Sequence, residues 1–272
     1  MSIQIQSKLN HLSQILPEGL LADSRWLQKQ GYSRQLIAKY VHSGWLTSPV
    51  RGVYRRNSVL LDQENWELVV ASLQKLLALP VTIGGRTALE LQGHVHYLTM
   101  SGSRGVHLYG DKSPPTWINK LQKKQLFSFH SNGLFNFKNS TKNRSRDFRQ
   151  AHFMEHKLAK SNWSLVLSTP ERAILELLEE LPNKETFHQA DMLMEGLSNL
   201  RPQYLNLLLK DCQSVKVKRL FLWFAERHNH AWLKAIELNK IDLGSGKRMI
   251  VPGGTFNSKY LITVPKEFEN GQ

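Results

Sequence analysis

The chain has 272 residues, which is long enough for roughly two or three compact domains. Its net charge of +14 favours a polyanionic partner, because clustered Lys and Arg gain free energy by neutralising phosphates. The single cysteine, Cys212, excludes an intrachain disulfide framework and a multi-cysteine zinc site. The polar start of the chain does not resemble a signal peptide, and no segment approaches the roughly 20 apolar residues of a membrane-spanning helix. We therefore expect a cytoplasmic protein that does not enter a membrane.

The first part of the chain has the pattern of three helices followed by a hairpin. Apolar residues recur at helical spacing, and Gly44 follows the third helix at a position that favours a left-handed residue. The three helices and the hairpin are predicted at residues 5–16, 24–30, 33–43 and 45–56. This order of elements predicts a winged helix-turn-helix over residues 1–57.

The third of these helices combines an apolar face with a face suited to DNA. The first turn of a recognition helix usually enters the major groove, where arginine pairs with guanine and glutamine with adenine. Within residues 1–57, eight Lys and Arg residues face two acidic ones, a local net charge of +6. The predicted DNA contacts are Ser33, Arg34, Gln35, Lys39 and His42 on the helix, and Arg51, Arg55 and Arg56 on or beside the wing.

The remaining elements predict an α+β protein in which the winged helix precedes a larger mixed α/β domain. A helix at about 63–79 serves as a connector over residues 58–80, and the mixed domain covers 81–272. Within that domain, short apolar runs up to Leu167 predict a mixed sheet with one helix at 86–92. Further helices are predicted at 168–181, 186–197, 202–212 and 218–228, and a strand pair at 241–251 and 260–264.

Two basic segments of the larger domain are candidates for auxiliary contact with nucleic acid. Residues 138–160 have little apolar period in their first half, and we expect an exposed loop or strand edge there. The segment is either a second polyanion surface or a solvated loop. The candidate residues of this segment are Lys142, Arg144, Arg146 and Arg149. The second segment is 244–248, and its candidate residues are Lys247 and Arg248.

Three patterns suggest chemistry that the residues do not support. Residues 244–248 resemble a phosphate-binding loop, but Ile241 replaces its first glycine and Arg248 its magnesium-binding Ser or Thr. A metal site could be formed by His94, His96, His107 and Asp111, since alternating histidines on a strand share a face. The carboxylates of a nuclease site could be Glu90, Asp111 with Lys112, or Glu237 with Asp242. These residues lack the acidic-x-lysine pairing on a predicted strand that nuclease sites usually show. We therefore predict no metal, no cofactor and no enzymatic activity.

Short motifs along most of the chain resemble the AbiEi family of antitoxins from type IV toxin-antitoxin systems. They occupy residues 31–36, 44–46, 51–54, 168–176, 215–220, 243–248 and 259–260. The resemblance implies an autoregulating repressor, acting in an abortive infection system, that binds inverted repeats in its own promoter as double-stranded DNA. It also implies antitoxin activity in the carboxy-terminal region against a nucleotidyltransferase-like toxin, without a stable complex between the two proteins.

Two alternative functions stay open from the residues alone. A nuclease fused to a winged helix would need carboxylates that converge on magnesium, and an RNA-binding protein would act through the carboxy-terminal basic surface.

A dimeric repressor would hold its two recognition helices about 34 Å apart, or at a multiple of that distance. The sequence does not indicate which region would form a dimer.

Overall fold

A computed structural model describes residues 3–56, 65–94, 105–121, 127–136, 146–158 and 163–268. It confirms a mixed α+β protein with an N-terminal domain. The helices are α1 (Ile3–Ile15), α2 (Ser24–Lys29), α3 (Arg34–His42), α4 (Trp66–Ala71), α5 (Gly85–Leu91), α6 (Ile118–Leu121), α7 (Arg146–His152), α8 (Pro170–Glu179), α9 (Phe187–Gly196), α10 (Pro202–Asp211) and α11 (Val215–Arg227). The strands are β1 (Ala22–Asp23), β2 (Leu46–Val50), β3 (Val53–Arg56), β4 (Val81–Ile83), β5 (Val106–Gly110), β6 (Phe127–Ser131), β7 (Phe153–Lys157), β8 (Ser164–Ser168), β9 (Thr255–Asn257) and β10 (Ile262–Val264).

The chain divides into two compact units that alternate along the sequence. Unit 1 consists of Met1–Val81, Gly102–Phe129 and His156–Leu165, and unit 2 of Thr82–Ser101, His130–Glu155 and Val166–Gln272. The predicted division at residues 57 and 80 stays a prediction. In the described part of the chain, no helix is long and apolar enough to cross a membrane.

Unit 1 begins with three helices and a small antiparallel sheet of strand order β1-β3-β2. Ala22 lies opposite Tyr54, and Leu46 lies opposite Arg56. The helices and the sheet enclose a core that includes Leu12, Leu16, Leu27, Ile37, Tyr40, Leu46 and Val53. On α1 and α3 the apolar residues lie at helical spacing, which explains why the sequence pattern located these two helices.

Local hydrogen bonds set the starts of α2 and α3. The Asp23 carboxylate accepts a hydrogen bond from the Trp26 N–H at 2.7 Å, and the Ser33 hydroxyl accepts one from Leu36 N–H at 3.2 Å. Each bond satisfies a backbone donor that the first helical turn leaves without a partner. The turn between β2 and β3 contains Gly52 at φ +82°, a conformation that favours glycine.

The predicted connector helix is shorter than expected and packs into unit 1. It consists of α4 followed by a π-helical turn, Ser72–Leu76. The Ser72 hydroxyl donates to the Leu68 carbonyl at 2.6 Å and accepts from the Leu21 N–H at 2.8 Å. A side chain that bonds to the preceding turn and to a distant backbone group alters the regular helix there. Residues 63 and 64, with which the predicted helix begins, lie outside the described residues.

A five-stranded sheet has the order β6-β5-β4-β8-β7. β4 and β8 run parallel, with Ile83 opposite Leu167. The basic segment 138–160 was expected to be a loop or strand edge. Its described residues form helix α7 and the edge strand β7, so the loop alternative is wrong for residues 146–157.

Helix α8 is the central element of unit 2. Thr169 accepts from the Arg172 N–H at 3.3 Å, and Pro170 occupies the first turn, as the sequence pattern predicts. Eight consecutive residues from Glu171 to Leu178 are buried. Helices α5, α7, α9, α10 and α11 pack against it. Because neighbours cover α8 on every face, its polar side chains have to form hydrogen bonds inside the unit.

The carboxy-terminal strands differ from the prediction. Residues 241–251 do not form a strand, and β9 pairs instead with β10. The buried Arg219 side chain explains this difference, since its guanidinium donates to the carbonyls of Leu243, Gly244 and Gly246 at 2.7–3.1 Å. The backbone acceptors of this segment are thereby satisfied by a side chain rather than by a strand partner. Helix α11 also begins earlier than predicted, at Val215.

Candidate nucleic-acid interface

Helix α3 presents one coherent exposed face in unit 1. Ile37 and Tyr40 are buried on its inner side. The predicted contacts Arg34, Gln35, Lys39 and His42 are all exposed, and the first pair lies in the first helical turn. These spacings place the four side chains along one side of the helix, where hydrogen-bond donors and cations are available to an outside partner.

Two tyrosines hold α3 against α1. The rings of Tyr32 and Tyr40 lie 6.4 Å apart, and the Tyr32 hydroxyl donates to the Lys8 carbonyl at 2.9 Å. His11 Nδ1 lies 2.9 Å from the same hydroxyl. Burial, with a smaller contribution from Tyr40, raises the pKa of Tyr32 to about 12, and burial raises the pKa of Tyr40 as well. Both phenols are therefore neutral at physiological pH, as their buried positions require.

The three arginines of the predicted wing have different surroundings. Arg51 is exposed in the turn between β2 and β3 and forms no hydrogen bond or ion pair with any described residue. Arg55 Nε donates to the Thr47 hydroxyl at 3.3 Å. Arg56 donates to the Ser13 and Leu16 carbonyls at the end of α1 and pairs with Glu18 at 3.2 Å. Arg51 is thus the wing arginine most available to a ligand, whereas Arg56 holds α1.

The acidic residues near α3 do not oppose its charge. Glu18 pairs with Arg56, and the Asp23 carboxylate is bound to the backbone of α2. No other acidic residue occurs among the first 57 residues. Arg34 and Lys39 form no ion pair with any described residue, so the exposed face of α3 carries positive charge, which favours an anionic partner.

The sequence pattern also contained two exposed residues that were not singled out as site residues. Ala38 lies one turn after Arg34 and is exposed at the centre of the α3 face. Its small side chain lets the helix backbone approach a partner closely. Trp45 follows α3 directly and is 52% exposed. The helical spacing from Arg34 identifies Ala38, but no spacing rule indicates that Trp45 is exposed.

The auxiliary candidates lie in unit 2 and are exposed where they are described. Arg146 and Arg149 lie on α7, and Lys247 and Arg248 lie in the segment that precedes β9. Lys142 and Arg144 lie outside the described residues. Phe148 packs inward against His152 with a ring distance of 4.2 Å, so it is not an exposed stacking surface.

The residues considered for metal or nuclease chemistry do not gather into a site in the described part of the chain. Glu237 pairs with Lys240 at 2.9 Å, and Asp242 Oδ1 accepts from the Gly244 N–H at 2.8 Å. No group of three or more His, Cys, Asp and Glu side chains is arranged to hold a metal ion there. His96 lies outside the described residues.

Comparison with protein families gives two matches that together span nearly the whole chain. Residues 5–100 match the model of a transcriptional regulator, AbiEi antitoxin N-terminal domain. Residues 103–265 match the model of a transcriptional regulator, AbiEi antitoxin, of type IV toxin-antitoxin systems. The chain belongs to the AbiEi family of antitoxin transcriptional regulators. No curated protein sequence matches it.

A solved structure is similar to this AbiEi family member over nearly its full length. It is the crystal structure of the RV2827C protein from Mycobacterium tuberculosis, with a TM-score of 0.57 and 13% sequence identity. The similarity covers 96% of this chain and 92% of that one. At this identity the likeness concerns the fold alone.

Proposed function

We propose that unit 1 contains a winged helix-turn-helix that binds double-stranded DNA and represses the promoter of its own gene. The observation that carries this proposal is the exposed face of α3, where Arg34, Gln35 and Lys39 are exposed and form no ion pair with any described residue. Membership of a family of transcriptional regulators supports it independently. The β2–β3 hairpin is the wing.

Each side chain then has a distinct role. Arg34 and Gln35 contact base edges in the major groove, since the first turn of a recognition helix enters deepest. Lys39 and His42 lie further along the same face and meet the flanking backbone. Arg51, at the tip of the wing, contacts phosphates or the minor groove. Ser33 and Arg56 act mainly through the fold, by capping α3 and by holding α1.

The antitoxin function is the second part of the proposal. The partner is a nucleotidyltransferase-like toxin from the neighbouring gene, and the AbiEi protein opposes it without a stable complex. Co-expression in a bacterial growth assay tests this with the full chain. The double variant Arg34→Ala, Gln35→Ala should lose repression and still restore growth, whereas loss of both activities would contradict separate sites.

DNA binding is tested by fluorescence anisotropy with the upstream region of the gene and a random duplex of equal length. We expect the upstream region, which should contain an inverted repeat, to bind about 10³-fold tighter or more. Binding should weaken steeply with salt because phosphate neutralisation releases counterions. Equal affinity for the two duplexes would contradict the repressor proposal.

A further inference from the structure

The outer face of the carboxy-terminal hairpin in unit 2 has an exposed aromatic ring. β9 and β10 pair in antiparallel fashion, with Phe256 opposite Thr263. Opposite residues share a face of a sheet. Ile262 and Val264 are buried on the inner face, so Thr263 and Phe256 lie on the outer one. The Phe256 side chain is 39% exposed there.

An extended segment adds a cation and a methionine beside this ring. Arg248 N–H donates to the Leu261 carbonyl at 2.9 Å, and Thr263 N–H donates to the Arg248 carbonyl at 3.1 Å. These bonds place the segment along β10. Lys247 Nζ lies 5.0 Å from the centre of the Phe256 ring, and Met249, two residues further on, is 74% exposed. We name Lys247, Met249 and Phe256 the hairpin patch.

The surroundings of the hairpin patch are positively charged. Lys247 and Arg248 form no ion pair with any described residue. Arg219 lies behind the segment, and burial together with the charge of Arg248 lowers the pKa of its guanidinium. Its donors are directed at backbone carbonyls rather than at carboxylates. The positive charge is therefore not neutralised locally.

The exposed ring, the thioether and the positive charge together favour one class of partner. An exposed ring and a flexible thioether favour a flat apolar group, while the adjoining cations favour a negative charge. A nucleotide of a single strand supplies both, because its base face is free to stack and its phosphate is adjacent. A duplex hides its base faces and offers only the phosphates.

We propose that the hairpin patch binds single-stranded nucleic acid, with an unpaired base stacked on Phe256 and a neighbouring phosphate at Lys247. The site goes beyond operator binding, since it lies in unit 2 and contacts a strand without base pairs. It gives the carboxy-terminal half of the chain a nucleic-acid contact that does not depend on α3.

The proposal is tested with the full chain and a fluorescein-labelled oligouridylate of about 12 nucleotides, a length within the usual site size. All measurements use the Arg34→Ala, Gln35→Ala background, which removes the proposed base contacts of α3. Phe256→Ala should weaken binding roughly 5- to 100-fold, the range found when one stacking aromatic is removed. Phe256→Trp should restore it. Lys247→Ala should lower the slope of log affinity against log salt by about 0.7.

Leu238→Ala provides the matched control, because Leu238 is also an exposed apolar residue of unit 2, at 43%. It should leave binding unchanged. Thermal unfolding should show the Phe256→Ala variant folded, as expected for a half-exposed side chain. Absence of oligouridylate binding at low salt, or equal effects of Phe256→Ala and Leu238→Ala, would overturn the proposal. A change in oligomeric state with Phe256→Ala, in place of lost binding, would show that a second copy of the chain occupies the patch and would also overturn it.

Discussion

Arg172 illustrates how unit 2 accommodates a buried charge. Its side chain is fully buried, yet it donates to Glu176 at 2.6 Å, to His152 Nδ1 at 3.2 Å and to Asn132 at 3.1 Å. The guanidinium also lies 5.0 Å from the Phe135 ring centre. Because arginine offers only donors, His152 Nδ1 has to be the unprotonated acceptor. The cluster joins α8 to the last residue of α7 and to residues 132–135.

Replacing Arg172 by alanine should strongly destabilise the protein. The change leaves the Glu176 carboxylate buried without its cation, a loss of about 3–5 kcal/mol in the free energy of unfolding. Chemical denaturation measures this directly. Arg149→Ala, an exposed arginine of the same unit, should change stability by less than about 0.5 kcal/mol. Similar values for the two variants would show that the buried cluster contributes little.

Glu180 makes the stability of unit 2 depend on pH. Burial alone would raise its pKa, but hydrogen bonds from His130 and Lys184 outweigh burial and lower the pKa from 4.5 to about 2. The two nitrogens each lie 3.0 Å from its carboxylate. A carboxyl whose pKa is lowered by folding stabilises the fold above its unfolded pKa, and this contribution is lost as pH falls through the folded value.

The pH effect is tested by comparing wild type with Glu180→Gln. The difference in free energy of unfolding should be fully present at about pH 7 and should shrink between about pH 4.5 and pH 2. Urea titrations at several pH values supply this difference. A difference that stays constant over the acid range would contradict the role of the ionised carboxylate.

At the scale of elements, the start of α3 depends on Ser33, the capping residue that precedes the helix. Ser33→Ala removes the hydroxyl that accepts from the Leu36 N–H and should cost about 1 kcal/mol of stability. Ser33→Asp keeps a capping acceptor and should preserve stability. The order of the two variants in DNA affinity should be the reverse of their order in stability. Ser33→Asp should bind DNA more weakly than Ser33→Ala, because the added negative charge repels phosphates. Denaturation and anisotropy on the same two variants check both statements.

Elements defined by neighbouring residues could be predicted from the sequence, whereas those set by distant contacts could not. Ser33 and Thr169 each lie within three residues of the N–H that they cap, so the starts of α3 and α8 were evident. The segment 241–251 bonds instead to Arg219, more than twenty residues earlier, and no local pattern reveals such a partner. The strand predicted at residues 241–251 is therefore wrong.

The candidate interface shows the same limit at the level of side chains. Helical spacing was sufficient to group Arg34, Gln35 and Lys39 on one face. It could not show that Arg56, although next to the wing in sequence, turns back to the end of α1. The availability of a charge depends on its neighbours in space, and the sequence does not give these.

At the scale of the whole molecule, we propose that the two units make two different kinds of nucleic-acid contact. In this proposal the α3 face and the wing bind a duplex, and the hairpin patch binds an unpaired strand. The net charge of +14 would serve both contacts through phosphate neutralisation. Salt should therefore weaken both interactions, while base sequence should affect only the duplex interaction.

The most direct test of the central proposal compares variants of α3 and of the wing on upstream and random DNA at one salt concentration. Arg34→Ala with Gln35→Ala should lower affinity for the upstream region by roughly 10- to 100-fold or more and leave random DNA nearly unchanged, so the preference falls. Arg51→Ala should weaken binding to both duplexes by similar factors and keep the preference. If the α3 variant retains the full preference of the wild type, then α3 is not the helix that contacts the bases.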